Sequence, residues 1–232
     1  MQAVDRGAPR ILCRFLCLAM LAGTPAFADE AECGSLQNAY GPFDYTNAEH
    51  RADKIPIVDV NHFQPEIEAL IGSPGGLGTI MGALDYTLRA VPNHHRALAT
   101  LAQYTLRGGS RENFRSTECY FDRAMRFKPD DGMVYLTFGG YLSRKHEYAQ
   151  AEKQYATALA LLPDSSEGHY NLGLLYLETG RPEKAKEEAL LAYQLGYPLR
   201  GLRNRLARAG AWSERDDAAV FRKAEAATTT RP

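Results

Sequence analysis

The feature that most constrains this chain is a spacing. When "MVYLTFGGYLSRKHEYAQAEKQYATALALLP" (Met133 to Pro163) is laid over "EGHYNLGLLYLETGRPEKAKEEALLAYQLGYP" (Glu167 to Pro198), Gly139 meets Gly173, Ala151 meets Ala185 and Ala158 meets Ala192, each 34 residues apart. Ala124 and Pro129 precede Ala158 and Pro163 by the same interval. A fixed period of this size belongs to stacked supersecondary units. None of them can bury its apolar face alone, and together they share one continuous core.

The residues at fixed register carry a resemblance. The unit beginning at Gly132 supplies Tyr135, Phe138, Gly139, Ala151, Tyr155, Ala158 and Pro163; the unit beginning at Ser166 supplies Leu172, Gly173, Tyr176, Ala185 and Ala192. In this the chain resembles the tetratricopeptide repeat family, a helix–turn–helix unit. It departs from the pattern at Leu142, His169, Ala189 and Tyr197, and the last proline slips to Pro198. The small residues are expected where helices approach closely, the bulky ones where they fill the space between, and proline where a helix must stop.

The expected fold class is therefore all-α, an α-solenoid of about three such repeats. A degenerate first repeat spans 95–131, with Leu101-Ala102 in place of the usual pair and extra residues around "RGGSRE". The second spans 132–165 and the third 166–199. "LGTIMGALDYTLRAVP" (Leu77 to Pro92) reads as an unpaired amphipathic helix capping the stack within 77–94. The Leu199, Leu202, Leu206 and Ala209 stripe marks a second capping helix over 200–212, its arginines on a solvated face that an anionic partner could also meet. A weakly helical to disordered tail is expected over 213–232.

The region 29–76 is less regular. "KIPIVDV" (Lys54 to Val60) reads as a short strand or extended segment, and "QPEIEALIG" (Gln64 to Gly72) as a short helix with proline in its first turn. Tyr40, Phe43 and Tyr45 are expected to pack this segment onto its own domain. It and the C-terminal "GYPLRGLRNRLARAGAW" are similar to a group of exported repeat proteins of proteobacteria.

Residues 1–28 read as a signal peptide: Arg6, Arg10 and Arg14, then a short apolar run, then Ala26–Ala28 as a cleavage site. The apolar run is too short to span a bilayer. Formal net charge is −1, which calls for neither nucleic acid nor an acidic membrane surface. Cleavage would leave two cysteines, Cys33 and Cys119, and an oxidising compartment would join them in a disulfide. The localisation expected is exported, periplasmic or secreted, without stable membrane insertion.

"AVPNHHRAL" (Ala90 to Leu98) sets two histidines side by side. Pro92-Asn93, Pro129-Asp130 and Pro163-Asp164 repeat one junction, in which proline ends a helix and the Asn or Asp side chain caps the next. His94 and His95 then stand at a helix start, pointing about 100° apart. No metal-ligand spacing occurs, so a structural role is expected, with no cofactor and no metal.

The leading functional expectation is a non-catalytic scaffold that binds a protein or peptide, possibly acidic, in a concave groove. The resemblance implies groove residues Arg96, Gln103 and Arg107 from the first repeat, Leu136, Gly140 and Arg144 from the second, and Tyr170, Asn171 and Leu174 from the third. Two alternatives stand beside it. One is a metal-dependent or hydrolytic enzyme using the N-terminal region and His94/His95. The other is a structural envelope component whose groove is filled by its own N-terminal segment.

Overall fold

The computed structural model describes residues 33–71, 77–109 and 113–220. The leader expected at 1–28, part of the "RGGSRE" insertion and the end of the tail lie outside these residues. The described chain is helical without strands: α1 (Ala48–Asp53), α2 (Ile55–His62), α3 (Pro65–Glu68), α4 (Leu77–Ala90), α5 (His95–Leu106), α6 (Thr117–Phe127), α7 (Gly132–Arg144), α8 (Tyr148–Leu161), α9 (Ser166–Glu178), α10 (Pro182–Gln194), α11 (Gly201–Arg208) and α12 (Glu214–Val220). Helices α5–α6, α7–α8 and α9–α10 are the paired halves of three repeats, and each repeat packs on the next.

The small residues let the pairs nest. A Cβ added at Gly139 would stand 2.8 Å from the Tyr155 ring across the α7–α8 pair. One added at Gly173 would stand 2.6 Å from Leu202 and 3.2 Å from the Ala185 carbonyl oxygen. Ala151 and Ala185 are fully buried. Phe121, Phe138 and Tyr141 stack in the space that these approaches leave, with Leu142 and Leu175 buried in the same core.

The repeat junctions carry a correction. The helix caps are His94, Asp131 and Ser165, one residue beyond the Asn93, Asp130 and Asp164 that the sequence suggests. Each junction closes as a β-turn: His94 N–H donates to Val91 at 3.1 Å, Asp131 N–H to Lys128 at 3.1 Å and Ser165 N–H to Leu162 at 3.0 Å. Proline, with its fixed φ, takes the second place of that turn. Asn or Asp falls in the third, and the next residue is the one whose side chain meets the free amides of the helix.

The N-terminal region differs further from expectation. Lys54–Val60 is not extended: Ile55 and Val58 turn one side of α2 onto Ala90 and Val91, and Pro56 falls in the first turn, where its missing N–H costs nothing. Burial overrides the β-branched composition. Nor is α4 unpaired. Phe63 and Ile67, around α3, join Ile80, Leu84, Leu88 and Leu98 in the main core, so α2 and α3 serve as the partner that α4 lacks in sequence. Tyr40, Phe43 and Tyr45 pack beside Ile55 and Val58.

Residues 33–45 run along α4 and α6. Cys33 and Cys119 form a disulfide across 86 residues of sequence. Beside it, Arg115 donates to the Cys33 carbonyl at 3.1 Å, Arg126 to Gly34 at 3.0 Å, and Arg123 to Ser35. Arg123 is only 1% exposed. Burial first, then the neighbouring cations Arg115 and Arg126, push its pKa below that of an ordinary arginine.

At the other end, Leu202 and Leu206 are fully buried, but Leu199 and Ala209 are exposed and stand off the expected stripe. Two arginines of α11 are engaged by carboxylates. Arg203 pairs with Asp217, and Arg205 with Glu178 at 3.3 Å. Residues 214–220, within the stretch expected to be weakly helical to disordered, form α12. Trp212 donates to Asp217 at 2.8 Å and Lys186 pairs with Asp216 at 2.9 Å, which fastens α12 beside α10 and α11.

Candidate functional site

The first helices of the three repeats, α5, α7 and α9, together line a cavity of about 590 Å³. It opens between helices because the facing side chains at Ala99, Ala102, Gly140 and Ser143 are small. Gln103 and Leu106 come from α5, Thr137 and Arg144 from α7, Asn171, Leu174 and Glu178 from α9. Gly140 and Arg144 stand one helical turn apart, so they share one face of the central helix.

Of the residues marked in sequence, the structure gathers Gln103, Gly140, Arg144, Asn171 and Leu174 around this cavity. The other four lie elsewhere. Arg96 is bound to Glu68 of α3 through both carboxylate oxygens and sits 5.4 Å from the Phe63 ring centre. Arg107 is the C-terminal cap of α5 and does not line the cavity. Leu136 and Tyr170 are 3% and 8% exposed and belong to the core; Tyr170 stacks on Tyr197 at 4.2 Å. The inherited positions assume a regular repeat on either side of each helix. Here α3 occupies the start of α5, and Tyr197 takes the proline position and draws Tyr170 inward.

Sequence reasoning missed Tyr155, Tyr141, His146 and Thr137 as lining residues. Its place in the repeat marks Tyr155 as a packing residue. The signal available was the pair Gly139-Gly140: the first glycine accommodates the Tyr155 ring, and the second leaves its edge uncovered. His146 sits at φ +63°, the left-handed position that the next repeat gives to Gly180.

The cavity's polar groups differ in how far they are committed. Among the described residues, Gln103, Arg144 and Asn171 have no hydrogen-bond or ion-pair partner, whereas Glu178 pairs with Arg205 and Tyr141 donates to Glu118 at 2.9 Å. No residue of 33–71 lines the cavity.

The adjacent histidines form a clasp. His94 is fully buried: Nδ1 accepts from the Ala97 N–H at 3.2 Å, which leaves Nε2–H to donate to Asp59 at 2.9 Å. His95 Nε2 lies 2.8 Å from Asp131, the cap of α7. Asn93 donates to Asp44 and Asp131 and accepts from the Tyr45 N–H at 2.9 Å. Three segments distant in sequence, at 44–45, 93–95 and 131, are joined at one point. Among the described residues no group of three or more His, Cys, Asp and Glu side chains is placed to hold a metal ion, and no helix is long and apolar enough to cross a membrane.

Comparison with known proteins agrees with this geometry where it is specific. The tetratricopeptide repeat family model matches residues 155–187, from the middle of α8 through α9 into α10. Among solved structures, the crystal structure of MamA is similar at 20% identity and a TM-score of 0.40, covering 65% of this chain and 92% of that one. No curated protein sequence matches the chain. The family match thus lies across nested helices, the same small-residue approaches recur in the adjoining pair, and the helix pairs stack as an α-solenoid that carries a match to the tetratricopeptide repeat over residues 155–187.

Proposed function

We propose that this protein is a non-catalytic scaffold of the cell envelope that binds an extended segment of another protein across α5, α7 and α9. The observation that carries this reading is the cavity itself. It spans the same helix of three successive repeats, and three of its polar side chains, Gln103, Arg144 and Asn171, are left without protein partners. Amide side chains on the two flanking helices suit a peptide backbone, donating to its carbonyls and accepting from its N–H groups. Leu106 and Leu174 offer apolar contact between them.

Export to an oxidising compartment fits the disulfide between Cys33 and Cys119 and the leader read at 1–28. The reading in which the N-terminal segment fills the groove draws on one contact, the Glu68–Arg96 pair that ties α3 to the start of α5. The test is a photocrosslinking amino acid placed at Ala99, a lining position outside the three polar groups, and activated in cells. It is expected to trap one set of partners in the wild type, and Asn171→Ala with Arg144→Glu should lower that yield about tenfold or more. Equal yields of the same partners in both forms would remove the groove assignment.

A further inference from the structure

The floor of the cavity holds a group that the packing does not require. Tyr155 is 3% exposed, so its ring is a core element, wedged against Gly139. Its hydroxyl nevertheless reaches the cavity and has no hydrogen-bond partner among the described residues. A phenylalanine would fill the same space in the core, so the hydroxyl adds nothing to the packing; what it adds is a polar group facing the cavity. The window onto this hydroxyl is Gly140. A Cβ added there would meet nothing within 4 Å except the Tyr155 oxygen, at 3.7 Å. The slot above Gly140 is thus empty, walled by helix and floored by a hydrogen-bond donor.

We propose that this slot is a carboxylate subsite: an Asp or Glu side chain, projecting from an extended segment that crosses the cavity, enters over Gly140 and accepts hydrogen bonds from the Tyr155 hydroxyl and the Arg144 guanidinium. The inference rests on the groove reading above and names what the groove selects. Charge decides the ligand class. Arg144 is the lining cation without a partner, while the lining anion, Glu178, is already engaged by Arg205. Burial raises the Tyr155 pKa above the ordinary phenol value, with the carboxylates of Glu167 and Glu178 acting in the same direction. The hydroxyl therefore remains a proton donor at any physiological pH. Position decides between a chain end and a side chain. Gly140 and Arg144 lie on the middle helix, with Gln103 on one side and Asn171 on the other, so the segment continues past the slot in both directions.

The probe is a random dodecapeptide library displayed with its C-terminus fused, so that side-chain carboxylates, not chain ends, are offered to the full-length protein. Wild type is expected to enrich a consensus with Asp or Glu at one fixed position. Tyr155→Phe keeps the packing, Arg144→Gln keeps much of the side-chain bulk and Gly140→Leu covers the slot; each is expected to lose the preference at that position and retain the rest of the consensus. For a synthetic consensus peptide, Glu→Gln at the fixed position should weaken binding to wild type about tenfold and to Tyr155→Phe less than about threefold. A consensus without an acidic position, or an acidic preference that survives in both Tyr155→Phe and Arg144→Gln, overturns the subsite and leaves the groove standing. Failure of wild type to enrich any consensus, while circular dichroism shows it folded, overturns the groove and the subsite together.

Discussion

At the residue scale, two neighbouring glycines do different work. Gly139 permits contact, since any side chain there would drive into the Tyr155 ring. Gly139→Ala is expected to lower stability by about 2 kcal/mol, the usual cost of an extra methyl group in a filled core, read as a lower urea midpoint at unchanged slope. Gly140→Ala lacks that clash, and because alanine is the better helix former it should be neutral or stabilising by up to about 1 kcal/mol. His146 is the opposite case: a residue with a Cβ in a left-handed turn, bonded through Nδ1 to the Tyr148 hydroxyl at 2.6 Å. His146→Gly gives up that exposed contact but relieves the backbone, and a net gain of about 0.5 kcal/mol in chemical denaturation is expected.

Elements show how far the sequence could be read. Helices α7 to α10 were legible because each position is set by one neighbour at a fixed interval, so that Gly139, Gly173, Ala151 and Ala185 announce their own contacts. Asn93, Asp130 and Asp164 misled because a side chain's capping ability says nothing of whether a proline turn takes one residue or two. Helix α2 was illegible because its helical state depends on Ala90 and Val91, more than 30 residues away, and no local pattern in "IPIVDV" encodes that. Helix α3 explains why Arg96 left the groove. The hydrogen bonds from Arg96 hold the Glu68 carboxyl below the usual carboxylate range, against a smaller opposing effect of burial. A depressed carboxylate pKa contributes stability that is present above the unfolded-state value and is lost as pH falls through the folded one. The difference in thermal midpoint between wild type and Glu68→Gln should therefore be constant near neutrality and shrink as the pH falls through and below the ordinary glutamate range. A difference that persists there would mean that Glu68 acts through packing instead of charge.

For the whole molecule, stability is distributed unevenly between the ends. The C-terminal end is closed locally, by α11 and α12 lying against the helix just before them. The N-terminal end is closed over long range, by the Cys33–Cys119 disulfide and the arginine–carbonyl contacts beside it. Cross-linking residues 86 apart removes unfolded-state entropy worth about 4.5 kcal/mol in the chain-entropy model. Cys33→Ser with Cys119→Ser is expected to lose roughly 2–4 kcal/mol, and the loss should appear first as faster amide exchange in 33–45 and α4, with α9 and α10 least affected, because stacked repeats couple chiefly to their neighbours. Uniform acceleration along the chain would show that the stack melts as one unit.

The clasp at Asn93 sets a timetable. Its amide group bridges Asp44, made long before it, and Asp131, made long after. As the polypeptide emerges from N- to C-terminus, the leading segment therefore has no completed berth until the start of the second repeat has followed it out. The aromatic side chains can already settle on Ile55, Val58, Ala90 and Val91 by then, so the last step is the closing of the polar lock and not the covering of apolar surface.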